Sequence, residues 1–223
     1  MSKQIIVAID EISLDKAKEI LINLDSNKCM IKIGSVAFNS IGHEIIEYAY
    51  DIGFEIFLDL KLHDIPNTVK KSVSGITSLP IEMLTIHTSG GVDMMKAAVE
   101  AVSGTKIKVF GVTALTSLND KDINLIYQRN VVDQVNIMLN LAEIAGIHGV
   151  VCSPQELSYV SKRESLLIMT PGIRIQKIND DQKRVMSPKE AIDLGADFLV
   201  IGRPITASKN ISDTLNEIFK SIQ

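Results

Sequence analysis

The chain has no tryptophan, two cysteines, and aromatic residues at only 4% of its 223 positions. Each scarcity removes a class of function. Cys29 and Cys152 show no C-x-x-C spacing, so neither a disulfide framework nor a thiolate metal site has support, and both read as buried free thiols. With a formal charge of −4, a pI near 5.6 and few aromatic platforms, the chain offers no footprint for nucleic acid. No apolar run is long enough, and free enough of charge, to cross a bilayer, so no membrane partner is expected. Met1-Ser2-Lys3-Gln4 passes directly into an apolar run that meets Asp10, without the small-residue cleavage site of a signal peptide, and a cytoplasmic protein is expected. Linkers, low-complexity tracts and charge runs are also missing, which points to one domain over residues 1–223.

Hydrophobic residues, in contrast, make up 46% of the chain and mean hydropathy is +0.20, ample for a sizeable core. Short apolar runs alternate with segments of helical period. The strand-like runs are Ile5–Ile9, Met30–Gly34, Glu55–Leu60, Met83–His87, Lys108–Ala114, Gly149–Ser153, Leu166–Thr170 and Asp197–Gly202. Helices are expected near Leu14–Leu24, Asn39–Ile52, Asn67–Ser78, Val92–Val102, Val131–Ala145, Pro154–Ser161, Ser187–Leu194 and Asn210–Ile222. Ser13 is placed to cap the first of them, and Gly53, Gly146 and Gly195 to stop others. Eight β-then-α units predict a (β/α)8 barrel in preference to a doubly wound sheet.

Barrel enzymes carry their chemistry at the carboxyl ends of the strands. Polar residues gather there: Asp10, Lys32, Asp59 with Lys61, His87-Thr88, Thr113 and Thr116, Ser153, Thr170-Pro171-Gly172, and Gly202-Arg203. The densest stretch is Glu55-Ile56-Phe57-Leu58-Asp59-Leu60-Lys61-Leu62-His63-Asp64-Ile65-Pro66-Asn67-Thr68, where a buried-strand pattern ends in alternating charge. Period-two alternation puts Asp59 and Lys61 on one face, with Asp64 just beyond, predicting an acid–lysine–acid cluster. Two carboxylates would keep Lys61 protonated and fixed in direction, which suits proton delivery; a structural ion-pair network is the other reading of the same spacing. Lys32, between two isoleucines, is expected to pair with Asp10 or Asp59, or else to snorkel to the rim. An Asp–Lys–Asp–Lys–Asp chain would then cross the barrel mouth.

Loops after strands seven and eight of barrels often hold phosphate, and Gly202 with Arg203 fits such a site, the glycine letting backbone approach and the guanidinium supplying a fork. Thr170–Arg174 leads into the polar segment Gln176–Arg184, long enough to close over a ligand. Leu115–Asp120 forms a second rim whose hydroxyls could meet a polar ring edge. His87, His63 and His43 read as hydrogen-bonding residues, since no Ser or Cys nucleophile motif accompanies them. Asp59 and Asp64 are the only pair suited to Mg²⁺, and Lys61 would compete with it, so no metal is expected.

Asp59-Leu60-Lys61-Leu62-His63-Asp64-Ile65-Pro66-Asn67-Thr68 resembles the signature of the orotidine 5′-phosphate decarboxylase family. Asp10, Lys32, the Thr116-Ser117 pair, Thr170-Pro171-Gly172-Ile173-Arg174, Asp181-Gln182 and Gly202-Arg203-Pro204 extend the resemblance in order along nearly the whole chain. It implies decarboxylation of orotidine 5′-monophosphate to UMP without cofactor or metal, the last step of pyrimidine synthesis. Lys61 would be the proton donor, Asp10 and Lys32 would contact the ribose, and Asp59 would lie beside the departing carboxylate. Asp64 and Thr68 would reach the neighbouring site of a homodimer, Thr116 or Ser117 would meet the pyrimidine, and Arg174, Gln182, Gly202 and Arg203 would hold the phosphate or close over it. Two rivals stay open: an Mg²⁺-dependent sugar-phosphate enzyme on the same barrel, and a catalytically silent phosphate-binding barrel.

Overall fold

The computed structural model describes residues 4–174 and 186–223. Eight parallel strands, β1 (Ile5–Ile9), β2 (Cys29–Gly34), β3 (Ile56–Leu62), β4 (Met83–His87), β5 (Lys108–Val112), β6 (Gly149–Val151), β7 (Leu167–Pro171) and β8 (Phe198–Ile201), form a closed barrel in chain order. Closure runs from Ile5↔Leu199 to Val7↔Ile201, pairing the first strand with the last. The expected (β/α)8 barrel is therefore the fold.

Alternation along the strands builds two apolar layers. Ile5, Val7, Ile9, Ile31, Ile33, Ile56, Leu58, Leu84 and Ile86 face outward and pack with helix residues such as Ala17, Ile45, Val69, Val73 and Met95. The neighbours between them, Ile6, Ala8, Met30, Phe57, Met83, Phe110, Met169, Phe198 and Val200, fill the barrel's interior. Phe110 and Phe198 meet edge to face at 6.0 Å, a favoured aromatic geometry. Gly149 makes room for this packing, since a Cβ there would come within 2.5 Å of both the Leu167 carbonyl oxygen and the Phe110 ring. These side chains fill the barrel's interior, so the polar strand ends are left at its mouth.

At the floor, His148 ties three strands together. Its N–H donates to the Val109 carbonyl at 3.1 Å, its carbonyl accepts from Leu167, and its Nδ1 accepts from the Val109 N–H at 3.1 Å. Burial, and secondarily the charge of Lys108, holds the imidazole's pKa below 6.5. It is thus kept in the neutral form that can accept.

Helix boundaries depart from expectation where local chemistry intervenes. The segment expected as Asn39–Ile52 is two helices, Ser35–Ile41 and Glu44–Asp51, separated at Gly42, whose φ of +81° breaks the first. A helix not foreseen, Asp120–Tyr127, starts at Asn119, which forms a capping box with Asp122. A short helical turn, Arg203–Thr206, also follows β8. Ser13 does precede Leu14–Leu21, but its side chain makes no capping bond. Gly53, Gly146 and Gly195 have φ of +91°, +70° and +96°, as helix-stopping glycines should. Both cysteines are buried and free.

Candidate active site

The third strand carries the site, and it runs beyond its expected end. Leu58 pairs with Leu84 and Leu62 with Ile86, so four steps on β3 match two on β4 and the strand carries two extra residues. A two-residue excess preserves parity, which is why Leu60 and Leu62 still face the outer layer with Leu58. Lys61 absorbs the excess with a φ of +52°, a left-handed conformation costly for a lysine. Thr85 of β4, fully buried, anchors this turn: its Oγ1 accepts the Lys61 N–H at 2.9 Å and donates to Asp59 Oδ1 at 2.9 Å.

The side chains above that anchor form a charge chain. Lys61 Nζ lies 2.7 Å from both oxygens of Asp59. Lys32 Nζ lies 3.4 Å from Asp59 Oδ2 and 3.3 Å from Asp10 Oδ1. Lys32 and Asp59 are 9% and 8% exposed, so this is a nearly buried pair, whereas Asp10 stands at the solvent side. Burial pushes the Asp59 carboxyl upward, but Lys32, Lys61 and the hydrogen bonds from Lys61 and Thr85 outweigh it, and its pKa falls below the ordinary 3.8. A depressed carboxyl stabilises the fold fully above that ordinary value and loses its contribution as pH falls through the folded-state value. Gly34 borders the chain, because a Cβ there would lie 2.8 Å from Lys32 Nζ and 3.4 Å from Asp10 Oδ1.

Asp64 does not join this chain as expected. Among the described residues it forms no ion pair with Lys61; its carboxylate instead accepts the Ile65 N–H at 2.7 Å, in an exposed turn before the helix Pro66–Ile76. The local bond to the next residue directs the carboxylate away, so Asp59 alone grips Lys61 within this chain.

The polar strand ends also divide more sharply than the sequence suggested. Thr88 Oγ1 donates to the Val112 carbonyl, Thr113 Oγ1 to Val151 and Thr170 Oγ1 to Cys152, each stapling neighbouring strands. These buried hydroxyls are structural. Ser153, likewise buried, begins the turn Pro154–Glu156, where its N–H donates to Glu156. Thr68, Thr116, Ser117 and Arg203 are exposed on the mouth side, Gly202 precedes the turn that holds Arg203, and Arg174 is buried after β7 with its Nη1 donating to the Ile173 carbonyl at 3.2 Å. Gln182 and Asp181, with the whole of the expected closing segment Gln176–Arg184, lie outside the described residues. Thr85 is the functional neighbour that the sequence did not single out; its parity, two residues before His87 on an inward-facing row, was the available signal.

His87 closes β4 beside this group, its ring centroid 5.2 Å from that of His63. Its pKa is lowered by burial, then by His63 and Lys61, against an upward pull from Asp59. Among the described residues no group of three or more His, Cys, Asp or Glu is arranged to hold a metal ion, and no helix is long and apolar enough to cross a membrane. A fixed ammonium held by one nearly buried carboxylate, at the open end of a closed barrel, can stabilise developing negative charge and deliver a proton to it.

Known proteins with this architecture agree along the whole chain. A relative named orotidine 5′-phosphate decarboxylase from Ehrlichia canis (strain Jake) is 43% identical over 98% of this chain and 97% of its own. One of the same name from Wolbachia pipientis subsp. Culex pipiens (strain wPip) is 44% identical over 98% of each chain. The crystal structure of orotidine 5′-phosphate decarboxylase from Lactobacillus acidophilus superimposes with a TM-score of 0.87 at 31% identity, covering 100% of both chains. Residues 3–218 match the family model itself, and the chain belongs to the orotidine 5′-phosphate decarboxylase / HUMPS family.

Proposed function

We propose that this protein is an orotidine 5′-phosphate decarboxylase, a carboxy-lyase that converts orotidine 5′-monophosphate to UMP and CO2 in the last step of pyrimidine biosynthesis. The observation that carries the reading is the Asp10–Lys32–Asp59–Lys61 chain, with Lys61 Nζ held at 2.7 Å by both Asp59 oxygens. When the ring–carboxylate C–C bond breaks, the electron pair stays on the ring carbon. No covalent electron sink receives it, so a fixed ammonium is the natural stabiliser. Lys61 gives up a proton to that carbon, forming the C–H bond of UMP, and is reprotonated from solvent. No cofactor enters this sequence.

Asp59 would lie beside the departing carboxylate, and Asp10 and Lys32 would hold the ribose hydroxyls. Arg203, Gly202, Arg174 and Gln182 would take the phosphate, and Thr116 or Ser117 the pyrimidine edge. Binding energy from the phosphate, far from the reacting carbon, can press the base against this charge chain. The barrel acts as one domain, and the working unit is a homodimer in which Asp64 and Thr68 reach the neighbouring site. Ile12 and Ile65, 71% and 66% exposed on the loops that follow β1 and β3, support that assembly as apolar side chains a second copy would cover. The reading carries the cytoplasmic location expected of an enzyme that acts on a free nucleotide.

The second reading is a metal-dependent sugar-phosphate enzyme on the same barrel, kept because the matched family carries a double name, orotidine 5′-phosphate decarboxylase / HUMPS. Ultraviolet-monitored turnover of orotidine 5′-monophosphate, with and without a chelator, separates them. The decarboxylase keeps its rate in chelator, and Lys61→Ala abolishes turnover while UMP still binds. Chelator-sensitive turnover, or near-normal rate in Lys61→Ala, refutes the assignment.

A further inference from the structure

The imidazoles of His63 and His87 have no part in the proton transfer of the decarboxylase reading, yet they stand beside the residue that performs it. We propose that the two rings are a positioning clamp for Lys61, closed while the His87 ring is neutral and opened when it is charged, and that this clamp sets the acid limb of turnover. The inference rests on the decarboxylase reading, with Lys61 as donor.

Three observations meet at this place. Lys61 sits in a left-handed turn, φ +52°, which a lysine does not hold unaided. Its backbone is anchored on one side by Thr85 at 2.9 Å. On the other side the chain continues to His63, whose ring packs against His87 with centroids 5.2 Å apart and planes inclined by 39°. The ring pair thus fastens the far end of the turn to the last residue of β4. Gly90 leaves space for it, since a Cβ there would come within 3.2 Å of His63 Cδ2 and within 2.1 Å of Met94 Sδ. A side chain at position 90 would collide with Met94 and press on the edge of the His63 ring.

The charged and titratable groups facing His87 are His63, Lys61 and Asp59, the first two depressing its proton affinity and the last raising it. Its β5 partner Val112 and the nearby Met94 carry no charge. While His87 is neutral the two rings pack against each other. In acid the His87 imidazolium joins the ammonium groups of Lys61 and Lys32, placing three cations around the Asp59 carboxylate. The added charge repels the His87 ring from Lys61, and Lys61 loses the support of its turn.

The test is kcat as a function of pH at saturating orotidine 5′-monophosphate for the native protein, His87→Phe and His87→Ala, with thermal melting of each. His87→Phe keeps a ring against His63 that cannot charge, so its acid limb moves to lower pH. His87→Ala removes the stack and lowers kcat about tenfold with little change in KM, as loss of positioning does. The substrate phosphate, with a pKa near 6, titrates alike in all three proteins and cancels from the comparison. An acid limb at the native midpoint in His87→Phe, or native kcat in a folded His87→Ala, overturns the clamp. Nuclear magnetic resonance of the histidine rings and the Lys61 side chain, in native protein without substrate, separates this failure from that of the decarboxylase reading. Lys61 signals that follow the His87 midpoint in native protein but not in His87→Phe support the clamp whatever the enzyme turns over, and signals indifferent to it refute the clamp.

Discussion

Replacing His148 by phenylalanine tests whether a neutral imidazole holds the barrel floor. The ring keeps its bulk, but the Val109 N–H, which donates to Nδ1 at 3.1 Å, loses its acceptor. Val109 is fully buried, so water cannot substitute without rearrangement. An orphaned buried donor costs about 1–3 kcal/mol. For a chain of this size each kcal/mol moves the melting temperature by about 2–4 °C, so a loss of about 2 kcal/mol lowers it by roughly 4–8 °C. The sign of the pH dependence follows from the depressed pKa: between the folded-state value and 6.5 the unfolded chain binds more protons, so stability rises with pH across that window. Native protein therefore loses this contribution as pH falls below 6.5, and the gap between native and His148→Phe narrows from pH 7.5 to pH 5. Circular-dichroism melts of both proteins at the two pH values measure it. His148→Asn, whose Oδ1 can accept in the place of Nδ1, recovers stability at neutral pH without the titration. A gap of equal size at both pH values, or no gap at all, refutes the argument.

Thr85→Val removes one donor to Asp59 and the acceptor of the Lys61 N–H, so denaturant unfolding should register a loss of about 1–3 kcal/mol and kcat should fall with it; unchanged kcat would separate Thr85 from the site. Gly34→Ala pushes Lys32 Nζ from the place where it meets Asp10 and Asp59, and steady-state assays should show a fall in turnover larger than the change in melting temperature implies. Arg203→Ala should weaken UMP by about 1.5–3 kcal/mol in calorimetry while leaving uridine nearly unaffected; equal losses for both ligands would remove the arginine from the phosphate site.

The barrel was legible because eight apolar runs recur with helical segments between them, and no other architecture absorbs that count so simply. Asp59, Lys61 and Lys32 were legible because charges inside buried-strand patterns need partners, and the structure provides them at 2.7–3.4 Å. The two extra residues of β3 were not legible, since an even insertion leaves the hydrophobic alternation untouched and erases its own trace. The direction of Asp64 was not legible for a related reason: spacing shows that a carboxylate is near Lys61, but within this chain its bond to the Ile65 N–H decides where it turns. Thr88, Thr113 and Thr170 stood among the polar strand ends without a role, because sequence cannot distinguish a hydroxyl aimed at substrate from one aimed at the next strand's carbonyl. The helix Asp120–Tyr127 hid behind a segment read as a rim, although Asn119 and Asp122 were its capping box in plain sight.

The mouth of the barrel is held by two arcs of different material. From β1 to β3 the links are charged, Asp10 to Lys32 to Asp59 to Lys61; from β4 to β7 they are neutral hydroxyls on carbonyls. Strong acid that protonates Asp59 unlinks the first arc and leaves the second intact. Hydrogen exchange in acid should therefore open amides at the ends of β1 to β3 before those of β4 to β7, so that the half of the rim that does the chemistry is also the half that a proton can unfasten.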